Sequence, residues 1–159
     1  MSDLEAPLAR DPDGFSLRLS DGERDLVRGL CGQLRQLLHD ADPVSDPSIA
    51  RLFPPAYPDD PLRNLEFESA NGGSLLAGRL AAVDIVETTV DAAHLSEDET
   101  LAWLGSVNSL RLVLGTRLGL TEGSTETDYP EAHPDRDAYG IYRYLTWLEG
   151  GIVEALSAE

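Results

Sequence analysis

Two arginines stand where arginine is costly. Arg79 interrupts the apolar run "SLLAGRLAAVDIV" and Arg111 the run "AWLGSVNSLRLVLGTRLGL"; helical spacing places each guanidinium inside an otherwise apolar face, with Asn108 close to one turn before Arg111. A desolvated guanidinium without a counter-charge is strongly destabilising, so each calls for a carboxylate. Asp84, Glu87 and Glu149 on the helix flanks are the candidates. Two chemistries follow. Either the arginines form ion pairs that set helix register, or Arg79, Arg111 and Asn108 furnish a recessed site for a small anion, a metabolite or a partner's carboxylate.

The other chemistry-bearing residues mainly exclude functions. His39, His94 and His133 are far apart, and no H-x-x-x-H, HExxH or Cys/His spacing occurs, so no metal site is expected. Cys31 is the single cysteine, which rules out an intrachain disulfide and CxxC chemistry. It lies at the edge of an apolar stripe, where a free thiol behaves as a small hydrophobe. A peroxide-sensing role would require exposure and a depressed pKa. The chain has no lysine, hence no Walker A loop, and neither a G-x-G-x-x-G after a strand nor a G-x-S-x-G elbow. No nucleophile and base pair can be nominated, so a non-enzyme without cofactor is expected.

Charge narrows the choice of partner. Across 159 residues the net charge is −17, from 29 acidic and 12 basic residues, and every basic one is arginine. Such a surface repels phosphate backbones and anionic membranes, so direct nucleic-acid or membrane binding is disfavoured. The acidic start "MSDLEAPLARDPDGF" lacks an apolar signal region and no run is long enough to span a bilayer. The expected location is the cytoplasm.

The elements that must position these residues are mostly helical. Residues 1–14 are acidic and hold Pro and Gly, which predicts a frayed terminus, and 15–157 read as one domain. "FSLRL" alternates with Phe15, Leu17 and Leu19 on one side, the period of a short strand whose partner the sequence does not show. Ser20 with Glu23 forms a capping box that opens a first helix, with Leu26, Val27, Leu30, Leu34, Leu37 and Leu38 on its apolar face. A short helix over "LRNLEFESA" is expected to break at "NGG", and a second begins at Ser74 and runs to about Val90. Ser96 with Glu99 repeats the capping box before the Trp103 helix. Residues 121–137, with six acids and one Arg, read as an exposed acidic loop, and Tyr139 to Leu156 as the closing helix. The fold class is therefore all-α: a bundle of four main amphipathic helices plus one short helix, with a short N-terminal β-strand appendage.

Between the first two helices lies "RLFPPAYPDDP", residues 51–61, with four prolines. Proline bars helix and holds the chain extended, so this strap presents Leu52, Phe53 and Tyr57 either to the bundle or to a partner.

These segments, in the order "FSLRLSDGERDLVRGL", "RLFPPAYPDDP", "SLLAGRLAAVDIV", "AWLGSVNSLRLVLGTRLGL" and "YGIYRYLTWLEGGIVEAL", resemble the actinobacterial domain-of-unknown-function family 2017. The resemblance covers most of the chain, and the Trp103 to Leu120 helix with Asn108 and Arg111 is its most specific part. It implies a small regulator: members are described as transcriptional regulators, in part linked to oxidative stress and cysteine biosynthesis, without an established catalytic residue set. With one cysteine, a redox role would need an intermolecular bond or oxidation of a single thiol. The negative charge points to a protein partner with a basic surface, such as a sigma factor or a polymerase subunit. A homodimer that covers the strap and the unpaired strand is the other expected assembly.

Overall fold

The computed structural model describes residues 5–40, 45–53 and 59–158, apart from the side chains of 64, 65 and 67–74. Among these, four long helices and a small sheet make up a mainly all-α bundle.

The N-terminus contributes more than fraying. Strand β1 (Leu8–Asp11) pairs antiparallel with β2 (Gly14–Leu17), with Leu8 opposite Leu17 and Asp11 opposite Gly14. Strand β3 (His94–Leu95) completes the order β1-β2-β3. The strand read at "FSLRL" is thus the central one, and both its partners were absent from the sequence reading. The first partner comes from the stretch expected to fray; the second is two residues long, too short to carry a periodic signal. Gly14 has φ +144°, and a Cβ there would meet the Leu95 carbonyl oxygen at 2.5 Å, so glycine is required where β2 starts against β3. Asp11 fastens the turn by accepting from the Asp13 amide at 2.9 Å and the Ser16 hydroxyl at 2.8 Å.

Helix α1 (Asp21–Asp40) opens on the Ser20 and Glu23 capping box, each side chain receiving the other residue's amide at 3.2 Å, and buries Val27, Cys31, Leu34 and Leu38. The short α2 (Pro47–Ala50) is capped by Asp46, whose carboxylate accepts from the Ser48 amide at 3.0 Å. Arg117 clips it down, donating from Nε to the Ser48 hydroxyl at 3.2 Å.

Helix α3 (Pro61–Thr89) is continuous, so the expected break at "NGG" does not occur. Its start is set by Pro61 in the first turn and Asp60, which accepts from the Arg63 amide at 3.1 Å. Glycine in a helix interior costs only about 1 kcal/mol relative to alanine, which packing of the downstream Val83, Val86 and Val90 outweighs. Helical spacing would put Leu75 on one face with Leu76, Val83 and Val86, but it is 41% exposed.

Helix α4 (Glu97–Leu118) begins at the Ser96 and Glu99 capping box and ends at Gly119 in the left-handed conformation. It is central, packed most extensively against α3 and against α5 (Arg136–Ser157). The stretch before α5 is more organised than an open acidic loop. A 3-10 turn spans Glu126–Asp128, Tyr129 is buried with its hydroxyl donating to the Leu118 carbonyl at 3.1 Å, and its ring packs on Tyr139 at 4.4 Å. The core gathers Phe15, Leu34, Leu52, Trp103, Leu145, Leu148 and Ile152.

The paired glycines of α5 have different tasks. A Cβ on Gly151 would stand 2.4 Å from the Pro7 ring, whereas one on Gly150 would meet open space. Gly150→Ala is accordingly expected to raise stability by up to about 1 kcal/mol, and Gly151→Ala to lower it by pushing the β1–β2 hairpin off α5. Parallel thermal melts of the two variants check the sign difference.

Candidate functional site

The two arginines singled out by their apolar surroundings have different fates. On α4, Arg111 turns toward α5: Nη1 donates to Glu149 at 3.0 Å, Nε to the Thr146 hydroxyl at 3.0 Å and Nη2 to the Tyr142 hydroxyl at 3.2 Å. Its charge is neutralised by a carboxylate of equal exposure, 23% for each side chain. The result is an α4–α5 clasp. Asp84 and Glu87, the other acids considered, are taken by Arg35 of α1, with Glu87 at 2.6 Å. They tie α1 to α3.

Arg79 on α3 has no carboxylate within ion-pair reach among the described residues. Nε and Nη2 both donate to the Leu52 carbonyl, at 3.0 and 2.6 Å, and Nη1 donates to the Ser109 hydroxyl at 2.9 Å. Its guanidinium also lies 5.6 Å from the centre of the Phe53 ring. Burial pushes the Arg79 pKa down from its ordinary value, with no acid among the described residues to offset the desolvation. Arg79 and Arg111 share no partner, and half-buried Asn108 bonds to neither.

The strap candidates are divided by burial. Leu52 is 0% exposed and so belongs to the core, which removes it from the proposed partner surface. Phe53 is half-buried against the bundle, and Tyr57 lies outside the described residues. A docked start of the strap is what Arg79 requires, because its Leu52 carbonyl is the acceptor for two guanidinium N–H groups.

Cys31 is 0% exposed on the inner face of α1. Burial first, then the nearby Glu87 carboxylate, pushes its thiol up to about 12. A thiol held neutral and out of solvent lacks both properties that make a cysteine reactive toward peroxide. Burial likewise pushes the Tyr144 phenol up, helped by the bond its hydroxyl donates to Glu23 at 2.8 Å. In both groups the folded state favours the protonated form. Their contribution is therefore complete below the unfolded values, 9.0 for the thiol and 10.0 for the phenol, and is lost as pH rises through that range toward the raised folded values. Denaturant midpoints measured from pH 7 upward should hold level and then fall above about pH 9. Cys31 should react with a thiol reagent only once denaturant opens the bundle.

The histidines remain apart. His94 Nδ1 sits 3.0 Å from Asp11, His133 Nδ1 accepts from the Asp135 amide at 2.9 Å, and His39 is exposed at the end of α1. Among the described residues no group of three or more His, Cys, Asp or Glu side chains is placed to hold a metal ion. No described helix is long and apolar enough to cross a membrane.

One polar hub gave no sequence signal. Arg24 in the first turn of α1 donates to four main-chain carbonyls, Leu17 at 3.2 Å, Leu19 at 3.0 Å, Val90 at 2.7 Å and Ala92 at 2.8 Å. It joins the sheet, α1 and the end of α3. An arginine in a helix's first turn carries no pattern that distinguishes it from a solvated one.

Fold and polar interior together define an acidic helical bundle cross-stitched by arginines. The chain belongs to the family described as "Domain of unknown function (DUF2017)", whose profile matches residues 5–156. Curated relatives are named "Oxidative stress regulator AosR" in Mycobacterium tuberculosis and in Mycobacterium bovis, each 27% identical over 92% of this chain and 84% of the relative. A further relative, "Putative oxidative stress regulator AosR" of Mycobacterium leprae, is 31% identical over 71% of this chain and 59% of its own length. No solved structure matches the chain. These names support a regulatory role.

Proposed function

We propose that this protein is a non-enzymatic cytoplasmic regulator that acts by contact with another protein, in transcriptional control of a stress response. The observation that carries the reading is the similarity of nearly the whole chain to proteins named oxidative stress regulators. The interior supports it. Its polar side chains are mostly spent on joining elements, as in the Arg111–Glu149 and Arg35–Glu87 pairs, rather than gathered around a reactive group. With a net charge of −17, the partner is a protein with a basic face, a sigma factor or a polymerase subunit being the expected kind. Charge complementarity of this sort mainly speeds encounter and weakens with salt.

Because Cys31 is buried with a raised pKa, the proposed regulator receives its signal by a route other than peroxide attack on this thiol. The test is a pull-down of tagged protein from host lysate, with and without peroxide, at low and at raised salt. A stoichiometric transcription subunit that is lost at raised salt, and that Cys31→Ala still captures with the same peroxide response, is the expected result. Recovery of the protein alone, as a homodimer, would overturn the partner assignment.

A further inference from the structure

Arg79 borders a cleft of about 240 Å³ between α3 and α4, lined by Leu75, Gly78, Ala82, Gly105, Ser106 and Ser109. Three features of this cleft remain unexplained by packing. The first is charge: several arginines of the bundle meet an acid, whereas Arg79 meets only a carbonyl and a hydroxyl among the described residues. Arg24 also bonds carbonyls, but four of its five N–H groups are spent. Arg79 keeps one N–H on each terminal nitrogen.

The second feature is Ser106. It is 2% exposed, and its hydroxyl is the one buried side-chain polar atom without a hydrogen bond among the described residues. Leaving such a group unsatisfied is costly, and buried hydroxyls ordinarily find a partner. Its neighbour Ser109 is fully employed, donating to the Gly105 carbonyl at 2.9 Å while accepting from Arg79. The third is shape. Gly78 and Gly105 line it from the two helices, and a Cβ at either would meet open space, so the cleft is kept clear by missing side chains.

We propose that the α3–α4 cleft binds a small monocarboxylate, its carboxylate held by the free N–H groups of Arg79 and the Ser106 hydroxyl, its short apolar body against Leu75, Gly78 and Ala82. The size suits a compound of about four or five carbons, well below a drug-sized ligand. A single negative charge matches the single uncompensated guanidinium. A phosphate dianion would bring a second charge and more oxygens than this largely apolar lining can satisfy. The site is independent of the protein contact proposed above.

The experiment is an NMR titration of the isotope-labelled full chain with butyrate and isovalerate, with butyramide and inorganic phosphate as comparison probes, at physiological ionic strength. Saturable shifts of the backbone amides in 75–82 and 105–109, given by the carboxylates alone, are expected. Ser106→Ala, which removes an unpartnered hydroxyl, should fold as well as the parent and bind about tenfold more weakly. Gly78→Leu should melt higher, because leucine favours helix and its Cβ meets no atom, and should fail to bind because its side chain fills the cleft. Linear, non-saturating shifts, equal shifts from butyramide, or undiminished binding by Gly78→Leu would overturn the proposal. Should Gly78→Leu fail to fold, Ser106→Ala binding with parental affinity would do so equally.

Discussion

Arg24→Met is expected to lower the unfolding free energy by roughly 3 kcal/mol, a large effect for a helix-start residue with no acid partner. Four carbonyls converge on this guanidinium: Val90 is the C-cap of α3, where a helix leaves its last carbonyls without intrahelical amides, and Ala92 lies in the turn that follows. A cation there also opposes the negative end of the helix macrodipole. The other two, Leu17 and Leu19, lead from the sheet into α1. Hydrogen bonds to charged groups contribute about 1.5–3 kcal/mol each, but the site is only partly buried, so water recovers some of the loss and the sum is discounted accordingly. Methionine keeps the apolar stem in place, which isolates the donors as the cause. The melting temperature should fall by about 6–12 °C for a chain of this size. Arg28→Met, which removes an exposed α1 arginine paired with Asp25 of the same helix and with Asp91 after α3, should change little. Equal melting temperatures for the two variants would show that the hub is ornamental.

The second large effect belongs to Trp103. It is 1% exposed at the centre of the core and its indole N–H donates to the Thr89 hydroxyl at 2.8 Å. Thr89 in turn donates to the Ile85 carbonyl at 2.7 Å, so a chain of hydrogen bonds fastens α4 to the end of α3. Trp103→Ala should cost about 3–5 kcal/mol, combining lost burial with a cavity in a close-packed interior. Trp103→Phe keeps most of the volume and loses the N–H, and should cost about 1 kcal/mol. Urea unfolding of the two variants separates the terms. A Phe variant as unstable as the Ala variant would place the whole effect in the Thr89 bond.

How much of this was legible beforehand depends on how local each determinant is. Ser96 and Glu99 lie three residues apart and satisfy each other's amides, so their capping box could be read directly and was observed. The stripe Val27, Leu34 and Leu38 is a helical period and is buried as such. "NGG" misled because a local propensity was weighed against nothing; once α3 packs along α4, the cost of two glycines is small beside the apolar area buried.

Arg79 and Arg111 show where periodicity stops. Their types and phases marked both as costly. Nothing in the chain distinguished the one that would meet Glu149 from the one that would meet a carbonyl, because that depends on which neighbours the faces of α3 and α4 receive. Leu52 likewise read as either strap or display residue, and only its docking under Arg79 decided between them.

By itself, then, the sequence determined the helical class, the caps, the inner stripes, the single thiol and the strongly acidic surface, all of which are set by residue type and by separations of a few positions. Tertiary structure alone decided the partners of the central strand, the four carbonyls of Arg24, the acid of Arg111 and the open cleft beside Arg79. Those pairings join residues tens of positions apart. Their energies come from desolvation and hydrogen bonding at a distance of ångströms in space, which no periodicity along the chain encodes.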